Sequence, residues 1–194
     1  SSEVREYHGI RANIIGIMGK TRTPFSVDFG VGDVIVPAAI ERFLPTILPE
    51  FERPKILTYS LETTIAEKLD AIIRYMEVTG RMKDFYDIFY LATTFDFEGR
   101  KLQEAIYETL SNRGTPYEKD SIAVISRLGK DSVIQGRWNN FCRKILQYQL
   151  PINEVLGVII DFAQPPYGAL IREKEFFMHW DCKGRIYVPP GRGK

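Results

Sequence analysis

The sequence predicts an α+β fold in which antiparallel strands come first and a mainly helical region follows. In the segment 25–31 apolar residues alternate with polar or small ones, which is the period of a half-buried strand. Beyond residue 60, apolar residues recur at spacings of three and four, the period of amphipathic helices. Because strands precede helices, we predict an α/β core unit at 1–60, a helical domain at 61–180 and a flexible tail at 181–194.

Two strands joined by a short loop are predicted near the beginning of the chain. Arg11–Gly19 is an extended apolar segment, Lys20–Pro24 a polar turn and Phe25–Val31 the second strand. Such a pair forms an antiparallel hairpin. Prolines punctuate the segment 41–60, so we predict a connection there with one short strand near Ile56–Tyr59.

The first helix is predicted to run from Leu61 to Thr79. Ser60 is a suitable N-cap, and Gly80 is a typical residue just beyond a helix end. The apolar stripe of this helix consists of Leu61, Ile65, Leu69, Ile72, Ile73 and Met76. A second helix is expected from Met82 to Thr93, with a buried side made of Phe85, Ile88, Phe89 and Ala92.

Four further helices are predicted over 100–112, 118–129, 136–149 and 151–163. Pro151 is placed where a proline opens a helix, and Pro165 where the last helix is expected to stop. The residues from Lys183 onward are rich in glycine and proline, so we expect loop or mobile chain there.

Composition excludes several classes of protein. The 194 residues include 26 basic and 25 acidic side chains, so any nucleic-acid site must be a local patch. No apolar run approaches the ~20 residues that cross a bilayer, which predicts a soluble protein without a membrane partner. Two cysteines do not make a disulfide scaffold, and a reducing cytoplasm is the expected compartment. His179, Asp181 and Cys182 lie too close in sequence for good zinc geometry.

Asp28 and Lys68 are the first two residues that could carry chemistry. Asp28 lies on the polar side of its strand, where it either holds a hard cation such as Mg2+ or simply faces solvent. Lys68 lies at the edge of its helix's apolar stripe, where its ammonium either extends to water or neutralises a triphosphate. Glu67 lies on the outer face of the same helix.

The third candidate is the charged run Arg81-Met82-Lys83-Asp84-Phe85-Tyr86-Asp87 at the start of the second helix. Asp84 borders the apolar side, while Lys83 and Asp87 lie further out. A first-turn aspartate is also favoured by the helix dipole, and charges at a helix start are usually solvated. Each of these signals therefore has both a functional and a purely structural interpretation.

Taken together, these segments resemble in order and spacing the conserved blocks of the AbiEii nucleotidyltransferase toxin family of type IV toxin–antitoxin and abortive-infection systems. The resemblance covers most of residues 11–163. Its blocks are Val27–Asp33, Thr64–Ala71, Arg81–Asp87, Arg113–Pro116 and Trp138–Phe141.

The resemblance implies a DNA polymerase β-like nucleotidyltransferase sheet, of which 1–60 would be the C-terminal part, followed by the helical region. It implies Mg2+-dependent transfer of a nucleotide from an NTP to an acceptor, in some members the 3′ end of tRNA, and neutralisation by a cognate antitoxin. By position, Asp28 would be a catalytic metal ligand, Lys68 would contact the triphosphate and Asp84 would be the essential acid. Arg81 and Lys83 would bind phosphates, with Asp87 and Glu67 in support.

The family's first motif, a Gly-Ser followed by paired acids, is absent from these residues. We expect either that the chain lacks the N-terminal part carrying those acids, or that it is a catalytically incomplete derivative. The derivative would act as a protein- or RNA-binding module. Its scattered phosphate contacts would be Arg137, Arg143, Lys144, Arg172 and Lys174.

Overall fold

A computed structural model describes residues 9–30, 32, 34–75, 80–118, 121–122 and 125–191. Within these ranges the predicted α+β class is confirmed, with three antiparallel sheets and six α-helices. The strands are β1 (Ile10–Met18), β2 (Thr21–Phe29), β3 (Ile40–Phe43), β4 (Lys55–Thr58), β5 (Phe97–Glu98), β6 (His179–Asp181) and β7 (Ile186–Val188). The helices are α1 (Leu61–Tyr75), α2 (Met82–Thr94), α3 (Gly99–Arg113), α4 (Ile125–Leu128), α5 (Ser132–Phe141) and α6 (Ile152–Ile171).

The predicted hairpin is formed by β1 and β2, whose register pairs Ile10 with Phe29 and Met18 with Thr21. The turn is tighter than expected because Gly19 adopts a φ of 60°, which glycine accepts without steric cost. The second strand therefore begins at Thr21, not at Phe25. Val31, predicted as its last residue, lies outside the described residues.

The short strand predicted near Ile56–Tyr59 is present as β4, shifted by one residue. It pairs antiparallel with β3, which the sequence did not predict. Lys55 and Glu41 form an exposed ion pair of 2.7 Å across this pair of strands. The prolines that follow β3 and precede β4 obscured a pattern only four residues long.

The start of α1 confirms Ser60 as its N-cap. The Ser60 Oγ accepts a hydrogen bond from the Thr63 amide at 3.0 Å and donates to the Val36 carbonyl at 2.5 Å. The Val36 amide in turn donates to Thr63 Oγ1 at 2.9 Å, so the segment before β3 is fixed to the helix start. Met76 and the predicted last turn at 76–79 lie outside the described residues.

The hydrophobic core lies among the helices, where α1 packs against α2 and α3, and α2 and α3 pack against α6. The predicted buried faces of α1 and α2 are confirmed at Ile65, Leu69, Ile72, Ile73, Phe85, Ile88 and Ala92, while Leu61 and Phe89 are partly buried. None of the helices in the described ranges has both the length and the apolar character that crossing a membrane requires.

Two helices differ in extent from their predictions. Of the helix predicted over 118–129, α4 is the helical part among the described residues, and the Glu118 amide donates to Ser121 Oγ at 3.1 Å. The helix predicted over 136–149 begins earlier, since Asp131 caps α5 by accepting from two amides. It continues as a π-helical turn, Cys142–Leu146.

The prediction that Pro165 ends the last helix is wrong, because α6 continues through Pro165 and Pro166 to Ile171. Pro166 has no N–H, so the Phe162 carbonyl four residues earlier lacks its helical donor. The Tyr187 hydroxyl donates to this carbonyl at 2.7 Å. Burial raises the pKa of Tyr187, which keeps that donor protonated.

The flexible tail predicted over 181–194 is wrong for its first part. Asp181 ends β6 and residues 186–188 form β7, and together with β5 they make a three-stranded sheet. Trp180 is fully buried and its Nε1 donates to the Ala92 carbonyl at 2.6 Å. Three-residue strands carry no detectable period, so the nearby glycines and prolines dominated the pattern. Residues 192–194 lie outside the described part of the chain.

We expect Tyr187→Phe to lower the free energy of unfolding by about 1 to 3 kcal/mol, because the Phe162 carbonyl is then left without a donor. Urea unfolding followed by the fluorescence of the buried Trp138 and Trp180 measures the change. Tyr148→Phe is the matched control, since that hydroxyl is exposed and contacts only another hydroxyl, of Tyr86. Equal stability of the two variants would contradict the compensating role of Tyr187.

Candidate functional site

Lys68 of α1 reaches across to the first turns of α2. Its Nζ lies 3.2 Å from Asp84 Oδ1 and 2.7 Å from Asp87 Oδ2. The three side chains are between 13% and 20% exposed, so the ammonium is largely shielded from water. The structure thus brings together a lysine and two aspartates that are 16 and 19 residues apart in sequence.

The surroundings of Lys68 and Asp87 favour the ionised forms of both side chains. Burial alone would lower the pKa of Lys68, but the hydrogen bond and charge of Asp87, and the charge of Asp84, outweigh it and raise that pKa. Burial would raise the pKa of Asp87, yet Lys68 and Lys83 together hold it below its usual value. At neutral pH Lys68 is therefore a cation that faces the anionic carboxylate of Asp87.

Arg81 and Lys83 surround this group from the start of α2. Lys83 Nζ lies 2.6 Å from Asp87 Oδ2, and Arg81 NH1 lies 3.5 Å from Asp84 Oδ2. Both basic side chains are mostly exposed, at 72% and 61%. They can reach a ligand in solvent while Lys68 stays fixed.

A cavity of about 300 Å3 opens beside Lys68 and Asp84. It lies between α1, the start of α2 and the end of α3. Its cationic wall consists of Lys68, Arg74, Arg81 and Arg113, and its carboxylates are Glu67, Asp70 and Asp84. Four cations against three anions leave a net positive cavity, suited to an anionic ligand.

Asp70 is the centre of a buried network that the sequence did not predict. Its side chain is 2% exposed and accepts from Arg113 at 3.1 Å and from the Thr115 hydroxyl. Arg74 lies 3.5 Å from Asp70 and donates to Thr115 Oγ1 at 2.6 Å. The spacing of Asp70 and Arg74 by four residues was the one local signal, because Arg113 and Thr115 are more than 40 residues away.

Glu67 belongs to this network through its ion pair with Arg113. Arg113 NH2 lies 2.8 Å from Glu67 Oε1, so Arg113 binds two carboxylates of α1 at once. Gly114 adopts a left-handed conformation with φ of 62° and ends α3 there, which directs Arg113 and Thr115 towards α1. Glu67 thus helps to join α3 to the wall of the cavity.

Asp28 lies apart from this group, on the β1–β2 hairpin. Its carboxylate forms two hydrogen bonds with Arg11 of the neighbouring strand, at 2.6 and 2.9 Å, and both side chains are about two-thirds exposed. Arg11 lowers the pKa of Asp28. Asp28 does not line the cavity beside Lys68. Its role as a metal ligand stays a prediction.

A second cluster of polar side chains lies at β6. Ligand atoms of Asp96, Asp181 and Cys182 lie within 4.8 Å of one another, and His179 is not in this group. The Cys182 amide donates to Asp96 Oδ1 at 2.9 Å. The cluster is thus accounted for by a hydrogen bond that fixes the loop between α2 and β5 to the C-terminal sheet.

The arrangement beside α1 and α2 combines basic side chains and carboxylates at one cavity, on a mixed α/β scaffold with antiparallel sheets. A shielded lysine positioned by carboxylates, with arginines at the same cavity, is typical of sites that hold phosphates. The fold and the site thus define a mixed α/β protein with a cavity lined by paired basic and acidic side chains.

Comparison with protein families gives the particular family. A sequence model described as nucleotidyl transferase AbiEii toxin, type IV toxin–antitoxin system, matches residues 1–164. The chain therefore belongs to this family, and the antiparallel sheets with six helices agree with a nucleotidyltransferase-like fold. No curated protein and no solved structure matches the chain.

Proposed function

We propose that the chain binds the triphosphate of an NTP at Lys68 and transfers its nucleotide to an RNA acceptor such as tRNA. The observation that carries the proposal is the position of the Lys68 ammonium, held between Asp84 and Asp87 at the edge of a positive cavity. In this reaction an acceptor hydroxyl attacks the α-phosphorus and its proton is released. The bond from that phosphorus to the bridging oxygen breaks, and pyrophosphate leaves.

The protein contributes position and charge to such a transfer. Phosphate oxygens take the place of one carboxylate as partner of Lys68, while the second aspartate keeps the ammonium in place. Asp84, the less exposed of the two, is the positioning acid, and Asp87 adds a local hydrogen bond. The exposed Arg81 and Lys83 contact the outer phosphates.

Mg2+ enters this proposal together with the NTP. Within the described residues Asp28 belongs to no group of three potential metal ligands. Mg2+ at nucleotide sites takes one or two protein carboxylates and completes its shell with phosphates and water. A single carboxylate at Asp28 fits this use by its chemistry, although in this structure it does not line the cavity at Lys68. Arg11 competes for that carboxylate, since it binds both of its oxygens.

The test is incorporation of labelled NTP into total RNA by the whole chain, with and without Mg2+. We expect incorporation that depends on Mg2+, and we expect Asp28→Asn to require a higher Mg2+ concentration for the same rate. Asp161→Asn is the control, because Asp161 is an exposed aspartate on α6. Labelling that is absent with each of the four NTPs would overturn the transfer reaction.

A binding role is the second candidate, and the surface of the β1–β2 hairpin favours it. One face carries a row of exposed apolar side chains, Ile10, Ile14, Met18, Phe25 and Phe29. Exposed apolar rows on a sheet are typical of contacts with another protein, and the family implies an antitoxin partner. Binding of the antitoxin by a chain that incorporates no NTP, lost when Phe25 is changed to Asp, would favour this second role.

A further inference from the structure

A tyrosine shares the positive cavity with the phosphate-binding residues. Tyr75 is the last described residue of α1 and lines the same cavity as Lys68, Arg81 and Asp84. Its side chain is 49% exposed, which leaves much of the ring open at the cavity wall. The exposed part of an aromatic ring offers a flat π-face to a planar ligand.

The geometry of α1 places this ring at a useful separation from Lys68. The two residues are seven apart, so they lie on one face of the helix, about 10.5 Å apart along its axis. Ala71 lies between them, lines the cavity and adds only a methyl group. The floor between ammonium and ring is therefore low enough for a sugar to lie across it.

Arg81 connects the two ends of the cavity. Its guanidinium lies over the Tyr75 ring, 5.9 Å from the centroid, and it also lies 3.5 Å from Asp84. The cation fixes the ring against the cavity and leaves the rest of the ring surface to a ligand. The same side chain thus contacts the aromatic end and the carboxylate that holds Lys68.

We infer that Tyr75 is the stacking platform for the base of the bound nucleotide. This inference rests on the proposed function, because it takes the triphosphate to lie at Lys68. The base stacks on the ring, the ribose lies over Ala71 and the phosphates meet Lys68 and Arg81. Stacking on an aromatic ring accepts all four bases, since each base offers a π-face. Tyr75 thus contributes affinity for the nucleoside without selecting one base.

The experiment compares two probes, inorganic tripolyphosphate and each of the four NTPs, by isothermal titration of the whole chain. We expect Tyr75→Ala to weaken NTP binding by roughly 5- to 150-fold, which corresponds to one lost stacking contact. Binding of tripolyphosphate is expected to be unchanged. Tyr75→Phe keeps the ring and is expected to bind NTPs as the unchanged protein does.

Tyr90→Ala is the matched control, because Tyr90 on α2 is also 49% exposed and does not line this cavity. The role of Tyr75 as a stacking platform is contradicted if Tyr75→Ala leaves NTP binding intact, or if it weakens the binding of tripolyphosphate as much as that of NTPs. The triphosphate site at Lys68 would still be supported if the protein binds tripolyphosphate and the Lys68→Met variant does not. A protein that binds neither probe overturns both proposals.

Discussion

We expect Lys68→Met to reduce kcat/KM for NTP incorporation by about 100- to 1000-fold. This is the range found when one group that stabilises developing charge is removed. Methionine keeps the length and the apolar stem of lysine, so packing along α1 is preserved. The aspartates keep partners, because Lys83 still reaches Asp87 and Arg81 still reaches Asp84. The loss therefore comes from the missing ammonium, and steady-state rates with labelled NTP measure it.

Lys101→Met is the control for this substitution. Lys101 is a half-exposed lysine of α3 that also pairs with a glutamate, Glu98, so it matches the chemistry of the change without touching the cavity. We expect it to keep the full rate. If the Lys68→Met protein retains more than a tenth of the rate, the proposed role of Lys68 in the transfer reaction is contradicted.

The assay is run at neutral pH, where the Asp87 carboxylate beside Lys68 is ionised. Lys68 and Lys83 hold the pKa of Asp87 below its usual value of about 3.9. The stability that Asp87 contributes is therefore fully present above pH 4 and is lost as the pH falls through its lower folded pKa. A neutral assay leaves the fold of both proteins unaffected by this titration.

The lysine–aspartate part of the site was predictable because its residues lie on two consecutive helices. The position of Lys68 at the edge of an apolar stripe and that of Asp84 in the first turn of α2 fix both side chains on the α1–α2 contact. Asp70 was missed because its partners Arg113 and Thr115 come from α3. Periodicity describes one helix at a time and does not show which helix ends meet.

The limits of the fold prediction have a similar origin. The hairpin and the long helices were predicted because each has its own period, and Ser60 in addition marks the start of α1. Where α6 continues through its prolines, the Phe162 carbonyl that Pro166 leaves without a donor is satisfied by the hydroxyl of Tyr187, more than 20 residues away. The sheet at the C-terminus depends on β5, which is two residues long and carries no pattern. Tertiary hydrogen bonds override local proline and glycine signals at these positions.

Asp70→Ala is expected to lower the free energy of unfolding by about 3 kcal/mol. The change removes the buried carboxylate that Arg113 and Arg74 share, so Arg113 keeps Glu67 as its acidic partner in a poorly solvated site. Arg113 is 19% exposed and Arg74 31%, so both retain some water, and the expected loss is at the lower end of the usual range. Urea unfolding with tryptophan fluorescence measures the change.

Asp161→Ala, at the exposed aspartate of α6, is expected to change stability by less than about 0.5 kcal/mol. A double variant, Asp70→Ala with Arg113→Ala, separates the ion pair from other effects. It is expected to lose less than the sum of the single losses, because each single change already removes the contact between the two side chains. Strict additivity would show that the two side chains stabilise α1 and α3 independently. Their contact at 3.1 Å would then contribute nothing to holding this wall of the cavity.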